Sequence, residues 1–415
     1  MLCKEQLTKY AKMLLATGVN LQKEQELVIA ASVESAPLVR VLTKEAYEMG
    51  AKTVQVNWSD SETDKQKFIY ASDETLSNVP EWLAEAANGF ARRGGAFISV
   101  YAADPDAYAG VDPARIAMYS KAMSKATKES MIARMTGIAS WLVASYPSAK
   151  WAQKVYPGLS EDEAVAKLWD SIVYATRADQ DDPVQAWKDH QENLNKRMRW
   201  LNKMNFKTMK YKSANGTDFT CGLAEGHIWN GGGSLLKNGL GFIPNMPTEE
   251  IFSAPDCNVA EGKLVAALPL SHSGTLIENF WFEFKDGKVV NYGADKGVEA
   301  LKGILETDEG ALHLGEIALI PMDSPLAKMG TLFYNTLFDE NASCHFAVGR
   351  AYPDCVKGGE EMTNEQLKEL GVNAESLTHV DFMIGTDDLT ITGITQDGAE
   401  VKVFENGLWA DGTEA

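Results

Sequence analysis

Cysteine is scarce and scattered in this 415-residue chain. The five cysteines, at positions 3, 221, 257, 344 and 355, form no CxxC pair, so neither a disulfide framework nor a thiolate zinc site is indicated. Positive charge is also in deficit: 39 Lys and Arg stand against 58 Asp and Glu, a formal net charge of −19. A nucleic-acid binder draws its affinity largely from cations that neutralise phosphates, and anionic membrane repels a chain this acidic. The densest basic stretch, Lys196 to Lys212, is interrupted by Trp200, Leu201, Met204 and Phe206. No nucleic-acid or membrane partner is therefore expected. Long apolar runs are missing as well, since no window reaches the roughly 18 to 20 uncharged apolar residues of a membrane span. The charged start Met-Leu-Cys-Lys-Glu-Gln lacks the apolar core of a signal peptide, so a cytoplasmic location is the expectation. Disorder does not explain the acidity, because 45% of the residues are hydrophobic and suffice for real cores.

The first two hundred residues alternate helical and strand patterns. Leu7, Tyr10, Ala11, Leu14 and Leu15 make a helical stripe before the apolar strand Leu27 to Ala30, and Ala36 to Met49 is helical before the strand Thr53 to Val56. The helix Trp82 to Ala91, strand Phe97 to Ala102, helix Pro113 to Thr136 and strand Ala139 to Ala144 repeat the theme. Strands separated by helices require crossovers, which predicts a mostly parallel sheet covered by helices. After a helical stretch from Glu161 to Met204 the texture changes to short strands and dense glycine. Lys210 to Cys221 and Glu225 to Trp229 read as a hairpin around Asn215-Gly216, and strand-like segments dominate to Ile394. The expectation is an α/β N-terminal domain with a mostly parallel sheet, residues 1–205, followed by a β-rich α+β catalytic domain, residues 206–415.

Five of the six histidines fall in the β-rich half. His190, in Lys188-Asp189-His190-Gln191-Glu192, reads as a solvated surface residue. In His379-Val380-Asp381 the strand period places imidazole and carboxylate on one face, a pairing suited to a divalent cation. His345 shares its face with the small residues Ser343, Ala347 and Gly349, leaving space around its ring. Glu316 enters the apolar run Ile317 to Pro321, and Glu250 lies in a proline-bracketed apolar segment; buried carboxylates are costly unless paired or bound to metal. For Glu250 a helix-start carboxylate capped by Thr248 is the alternative. Two Glu, two His and one Asp form a nitrogen and oxygen ligand set for two divalent cations, which together activate a hydroxide nucleophile and polarise a carbonyl. This predicts a hydrolase.

Four motifs then carry a family resemblance. Asn245-Met246-Pro247-Thr248-Glu249-Glu250, Leu314-Gly315-Glu316-Ile317-Ala318-Leu319, Glu340-Asn341-Ala342-Ser343-Cys344-His345 and His379-Val380-Asp381-Phe382-Met383-Ile384-Gly385 resemble the successive signatures of the M29 metallo-aminopeptidases. Thr217-Asp218 and Glu225 to Trp229 extend the likeness. The resemblance implies a cytoplasmic homodimer that releases N-terminal residues from peptides with a free amino terminus, using two divalent ions of Zn, Co or Mg. It implies Glu250, Glu316, His345, Tyr352, His379 and Asp381 as ligands, with Glu316 and Tyr352 catalytic. A two-metal hydrolase of another amide or of a phosphoester shares the ligand set, whereas a non-enzymatic binding protein leaves these side chains without a common site. The region of Trp229 and Gly231 to Gly233 is a candidate for shaping substrate access.

Overall fold

Short strands buried on both faces organise the first part of the chain. The structure, a computed structural model, describes residues 3–102, 104–272 and 274–413. Strands β1 (Glu26–Ser32), β2 (Thr53–Ser59), β3 (Ala96–Tyr101) and β4 (Trp141–Ser145) form a parallel sheet in the order β2-β1-β3-β4. Leu27 and Ile29 in β1 are fully buried, as expected where helices cover both faces. The helix Ala36–Glu48 buries Leu38, Val39, Leu42 and Ala46 and stops at Gly50, whose φ of +92° lies in the left-handed region. The helix expected across Pro113 to Thr136 is broken into Pro113–Ala126 and Lys128–Met135. Thr127 sits at the break, its hydroxyl donating to the Met123 carbonyl at 2.8 Å, a local bond that competes with helix propagation.

The chain forms two compact units, Met1–Asp189 with Gly233–Pro247 and His190–Gly232 with Thr248–Ala415. This division differs from the single cut expected at 205/206. Leu194, Trp200 and Leu201, in the helix Pro183–Met204, pack in the core of the second unit, and the segment Gly233–Pro247 belongs to the first. No helix among the described residues is long and apolar enough to cross a membrane.

The second unit is rich in strands. Eight of them form one antiparallel sheet that includes the expected hairpin, Thr208–Lys212 with Asp218–Leu223. Glu225 to Trp229 is turn and loop instead, touching the strand pattern only through a bridge between His227 and Val356. A second antiparallel sheet contains β5 (Asn230–Gly231), β6 (Ile251–Ser253), β7 (Leu314–Leu319), β8 (His345–Gly349) and β9 (His379–Met383), in the order β9-β8-β7-β6-β5. Its inner face meets the larger sheet through aromatic rings. Phe346 lies 5.0 Å from Tyr211 and 5.5 Å from Phe219, and Phe382 lies 4.9 Å from Phe282, between ring centroids. Each such buried side chain contributes roughly 1.5–3 kcal/mol. With the core made by one face of the sheet, the other face is free to carry polar groups.

Candidate metal centre

Strand alternation selects the side chains on that outer face. Phe346, Val348, Val380, Phe382, Ile317 and Leu319 belong to the core. Their neighbours His345, Ala347 and Gly349 on β8, His379, Asp381 and Met383 on β9, and Glu316 and Ala318 on β7 therefore point the other way. The register aligns them: Glu316 pairs with Ala347 and Ala347 with Asp381, while His345 pairs with Ala318 and His379 with Gly349. Phe252 pairs with Ala318, which puts Glu250, two residues earlier, on the same face. No helix follows Glu250, so the capped helix start considered from the sequence is replaced by the entrance to β6.

The register depends on two glycines. A bulge between Leu314 and Glu316 turns the carboxylate toward Ala347. A Cβ on Gly315 would lie 2.3 Å from the Gly349 carbonyl oxygen, so no other residue fits there without displacing backbone. Gly349 itself has φ +102°, and a Cβ on it would lie 2.2 Å from the Thr378 carbonyl oxygen.

Glu316 addresses both histidines, one with each oxygen. Its Oε1 lies 3.7 Å from His345 Nε2 and its Oε2 lies 3.3 Å from His379 Nε2. Glu250 Oε2 is 3.5 Å from His345 Nε2, and Asp381 Oδ1 is 3.2 Å from His379 Nε2. Ligand atoms of Glu250, Glu316 and His345 all lie within 4.8 Å of one another, as do those of Glu316, His379 and Asp381. The two groups share Glu316.

The donor chemistry fits divalent cations. Nδ1 of His379 is 2.6 Å from the Arg350 carbonyl oxygen and Nδ1 of His345 is 3.2 Å from that of Ser343. A carbonyl only accepts, so each Nδ1 carries the proton and each Nε2 faces the carboxylates, the orientation that metal-ligating histidines adopt. Asp381 Oδ1 is buried and accepts no hydrogen bond although an imidazole nitrogen is close. A buried carboxylate oxygen whose one close neighbour is an imidazole nitrogen is costly, and a cation between the two would satisfy both. No thiolate joins the group, which fits borderline to hard divalent ions.

Electrostatics tell the same story for the metal-free state. Burial alone lowers the pKa of His345 and His379, but the surrounding carboxylates raise them to about 10 and about 11. Burial raises Glu316, and the two histidines more than reverse this, holding it well below the usual carboxylate range. Glu250 is pushed up by burial and by the Glu316 charge. Without metal, the imidazoles keep protons that balance the carboxylates. Tyr352 lies at the rim, its ring centroid 5.0 Å from that of His379 and 46% of its surface exposed. Burial of its phenol and the nearby carboxylates push its pKa up, so it stays protonated.

The family model for thermophilic metalloproteases of type M29 matches residues 3–409. The chain belongs to the M29 family. It is 45% identical over 406 residues to aminopeptidase AmpS of Bacillus subtilis (strain 168) and 43% identical over 406 residues to aminopeptidase 2 of Geobacillus stearothermophilus, with 98% of each chain covered in both cases. The solved structure of wild-type AmpT from Thermus thermophilus superposes with a TM-score of 0.90 at 38% identity, covering 98% of this chain and 99% of that one. The protein is a metal-dependent aminopeptidase of the M29 type.

Two features of this M29 site escape a reading by residue type. Glu340 is half-buried, and burial together with Glu250 and Asp381 raises its pKa well above the carboxylate range. That coupling places a further carboxyl beside the cluster. The only signal for it in the sequence is its place at the head of the Glu340 to His345 motif. His190 is not a solvated surface residue: its side chain is 10% exposed, and its Nε2 lies 2.9 Å from the Thr248 carbonyl oxygen and 3.6 Å from the Glu249 carboxylate. It braces the segment that presents Glu250. Trp229 itself is fully buried in the core.

Proposed function

We propose that Glu250, Glu316 and His345 hold one divalent cation and that Glu316, His379 and Asp381 hold a second, in an enzyme that removes the first residue from peptides with a free amino terminus. The observation that carries this reading is the division of Glu316, with one oxygen toward each histidine. Bound there, two divalent cations of Zn, Co or Mg supply Lewis acidity toward a carbonyl and bring the pKa of water near neutrality. Glu316 would either span the two positions as a shared ligand or accept a proton from the attacking water. Tyr352 stands at the rim as a neutral phenol, available as a ligand or as a hydrogen-bond donor to the oxygen on which charge develops. Glu340 adds a carboxyl beside the cluster. The homodimer and cytoplasmic location implied by the resemblance belong to the same proposal.

Elemental analysis combined with a panel of aminoacyl anilides tests it. Two divalent ions per chain, loss of activity on chelation, recovery on adding metal back, and rejection of acetyl-blocked substrates are expected. Activity that persists in fully metal-free protein overturns the two-metal reading. Equal turnover of blocked and free substrates overturns the aminopeptidase reading.

A further inference from the structure

Met383 follows His379 and Asp381 on the outer face of β9, and it is buried. It does not belong to the ligand cluster. Met383 and Asp381 instead line a small, open-mouthed cavity beside the cluster. Pro269 and Leu270 supply apolar surface, Tyr334 adds an aromatic ring, and Glu340 lines it too. The cavity is thus continuous with the residues of the proposed metal centre.

One wall is held rigidly. Tyr334 has φ +54°, a left-handed conformation that costs a non-glycine residue roughly 1–2 kcal/mol. The buried Asp339 carboxylate fixes the turn by accepting from the flanking amides, Phe333 N at 2.7 Å and Asn335 N at 3.0 Å. Asn335 Oδ1 in turn accepts from Leu337 N at 3.1 Å. Backbone strain maintained by a buried clamp is characteristic of ligand-binding walls. Among the described residues the lining includes Asp339, Glu340 and Asp381 and no Lys, Arg or His.

We infer that this cavity receives the side chain of the substrate's first residue, with Met383 and Tyr334 as the residues that set its size. The inference rests on the aminopeptidase reading above. A peptide whose first carbonyl lies at the Glu316 cluster places its first side chain within reach of a recess that begins at Asp381. Apolar walls accept aliphatic and aromatic side chains.

The test measures kcat/KM of the metal-loaded enzyme for alanyl, leucyl, phenylalanyl, lysyl and glutamyl anilides. Met383→Ala is expected to raise the phenylalanyl-to-alanyl ratio about tenfold, and Ser271→Phe to lower the leucyl-to-alanyl ratio by about the same factor, the scale of a one- or two-methylene change in a pocket. Thr336→Arg, which puts a cation on the lining, is expected to raise the glutamyl-to-lysyl ratio about tenfold. Active variants whose ratios all stay within about twofold of wild type overturn the pocket assignment and leave the aminopeptidase reading intact. Three variants on three separate segments keep the test informative if one of them fails to fold. A wild-type enzyme that cleaves none of the anilides overturns the aminopeptidase reading, and the pocket assignment with it.

Discussion

Glu316 and Asp381 stand in one transverse row of the sheet, with Ala347 as the only residue between them. The side chain of Ala347 ends at Cβ, and this leaves the space into which both carboxylates turn. Ala347→Leu fills that space. The overpacking is expected to cost about 1–3 kcal/mol and to lower metal content from two ions per chain toward one, measured by elemental analysis after dialysis. Full metal occupancy in a folded Ala347→Leu protein counts against the proposed position of the second cation.

Glu316→Gln keeps the shape of the side chain and removes its charge. Because Glu316 belongs to both ligand groups, kcat/KM is expected to fall by on the order of 10³-fold, whichever of its proposed roles dominates. Measuring metal content in the same sample separates the two roles. Inactive protein with full metal assigns the residue to proton transfer, whereas loss of metal assigns it to holding the cations. A near-wild-type rate refutes both.

The metal-free protein has a pH signature. His345 and His379 are raised to about 10 and about 11 in the folded chain, against about 6.5 when unfolded. Groups raised in this way contribute stability that is complete below about pH 6.5 and is lost as pH climbs through the folded values. Glu316 is shifted down, so its contribution is present above the unfolded value of about 4.3 and is lost on acidification. The melting temperature of EDTA-stripped protein should therefore fall steadily from pH 6.5 to 10. In metal-loaded protein the imidazoles are already deprotonated and this source of decline is absent. Parallel profiles for the two forms argue against metal at these histidines.

Asn341 is fully buried and ties two ligand-bearing segments together. Its Oδ1 accepts from Glu249 N at 2.7 Å and its Nδ2 donates to the Leu337 carbonyl at 2.9 Å. Asn341→Ala removes both bonds, at a cost of about 1–3 kcal/mol each. The loss of restraint next to Glu250 is expected to weaken metal affinity about 10- to 100-fold, as removal of an outer partner does at metal sites. Competition with a chelator measures it. Unchanged affinity in a destabilised protein reduces Asn341 to a purely structural role.

The parts of the site that follow strand period were legible in the sequence. His379-Val380-Asp381 alternates toward and away from a core, and Glu316 is conspicuous at the head of an apolar strand, so residue type and period two suffice. The shared geometry was not legible, because it depends on the cross-strand register and on the bulge at Gly315, which no local pattern encodes. Glu340 hides for a different reason. Flanked by Asp339 and Asn341, it looks like part of a solvated acidic turn, and only the chain's return beside β9 gives it neighbours. His190 misleads in the same way: its charged helical neighbours are exposed, while the ring itself turns toward the Thr248 carbonyl. In the fold, the parallel sheet followed from strands spaced by helices, but the exchange of Gly233–Pro247 between the units left no compositional mark.

β9 is the outermost strand of its sheet and is paired along one side with β8. Edge strands open first in native-state fluctuations, because fewer bonds must break to release them. Yet this strand carries His379 and Asp381, while Glu316 lies two strands inward. The proposed cation among those three side chains would fasten the margin of the sheet to its interior, and detachment of residues 379–383 would then break coordination as well as the ladder. The amides of β9 should accordingly shift from among the fastest in the sheet to exchange with deuterium to among the slowest when metal is added, so the centre doubles as a clasp on its own scaffold.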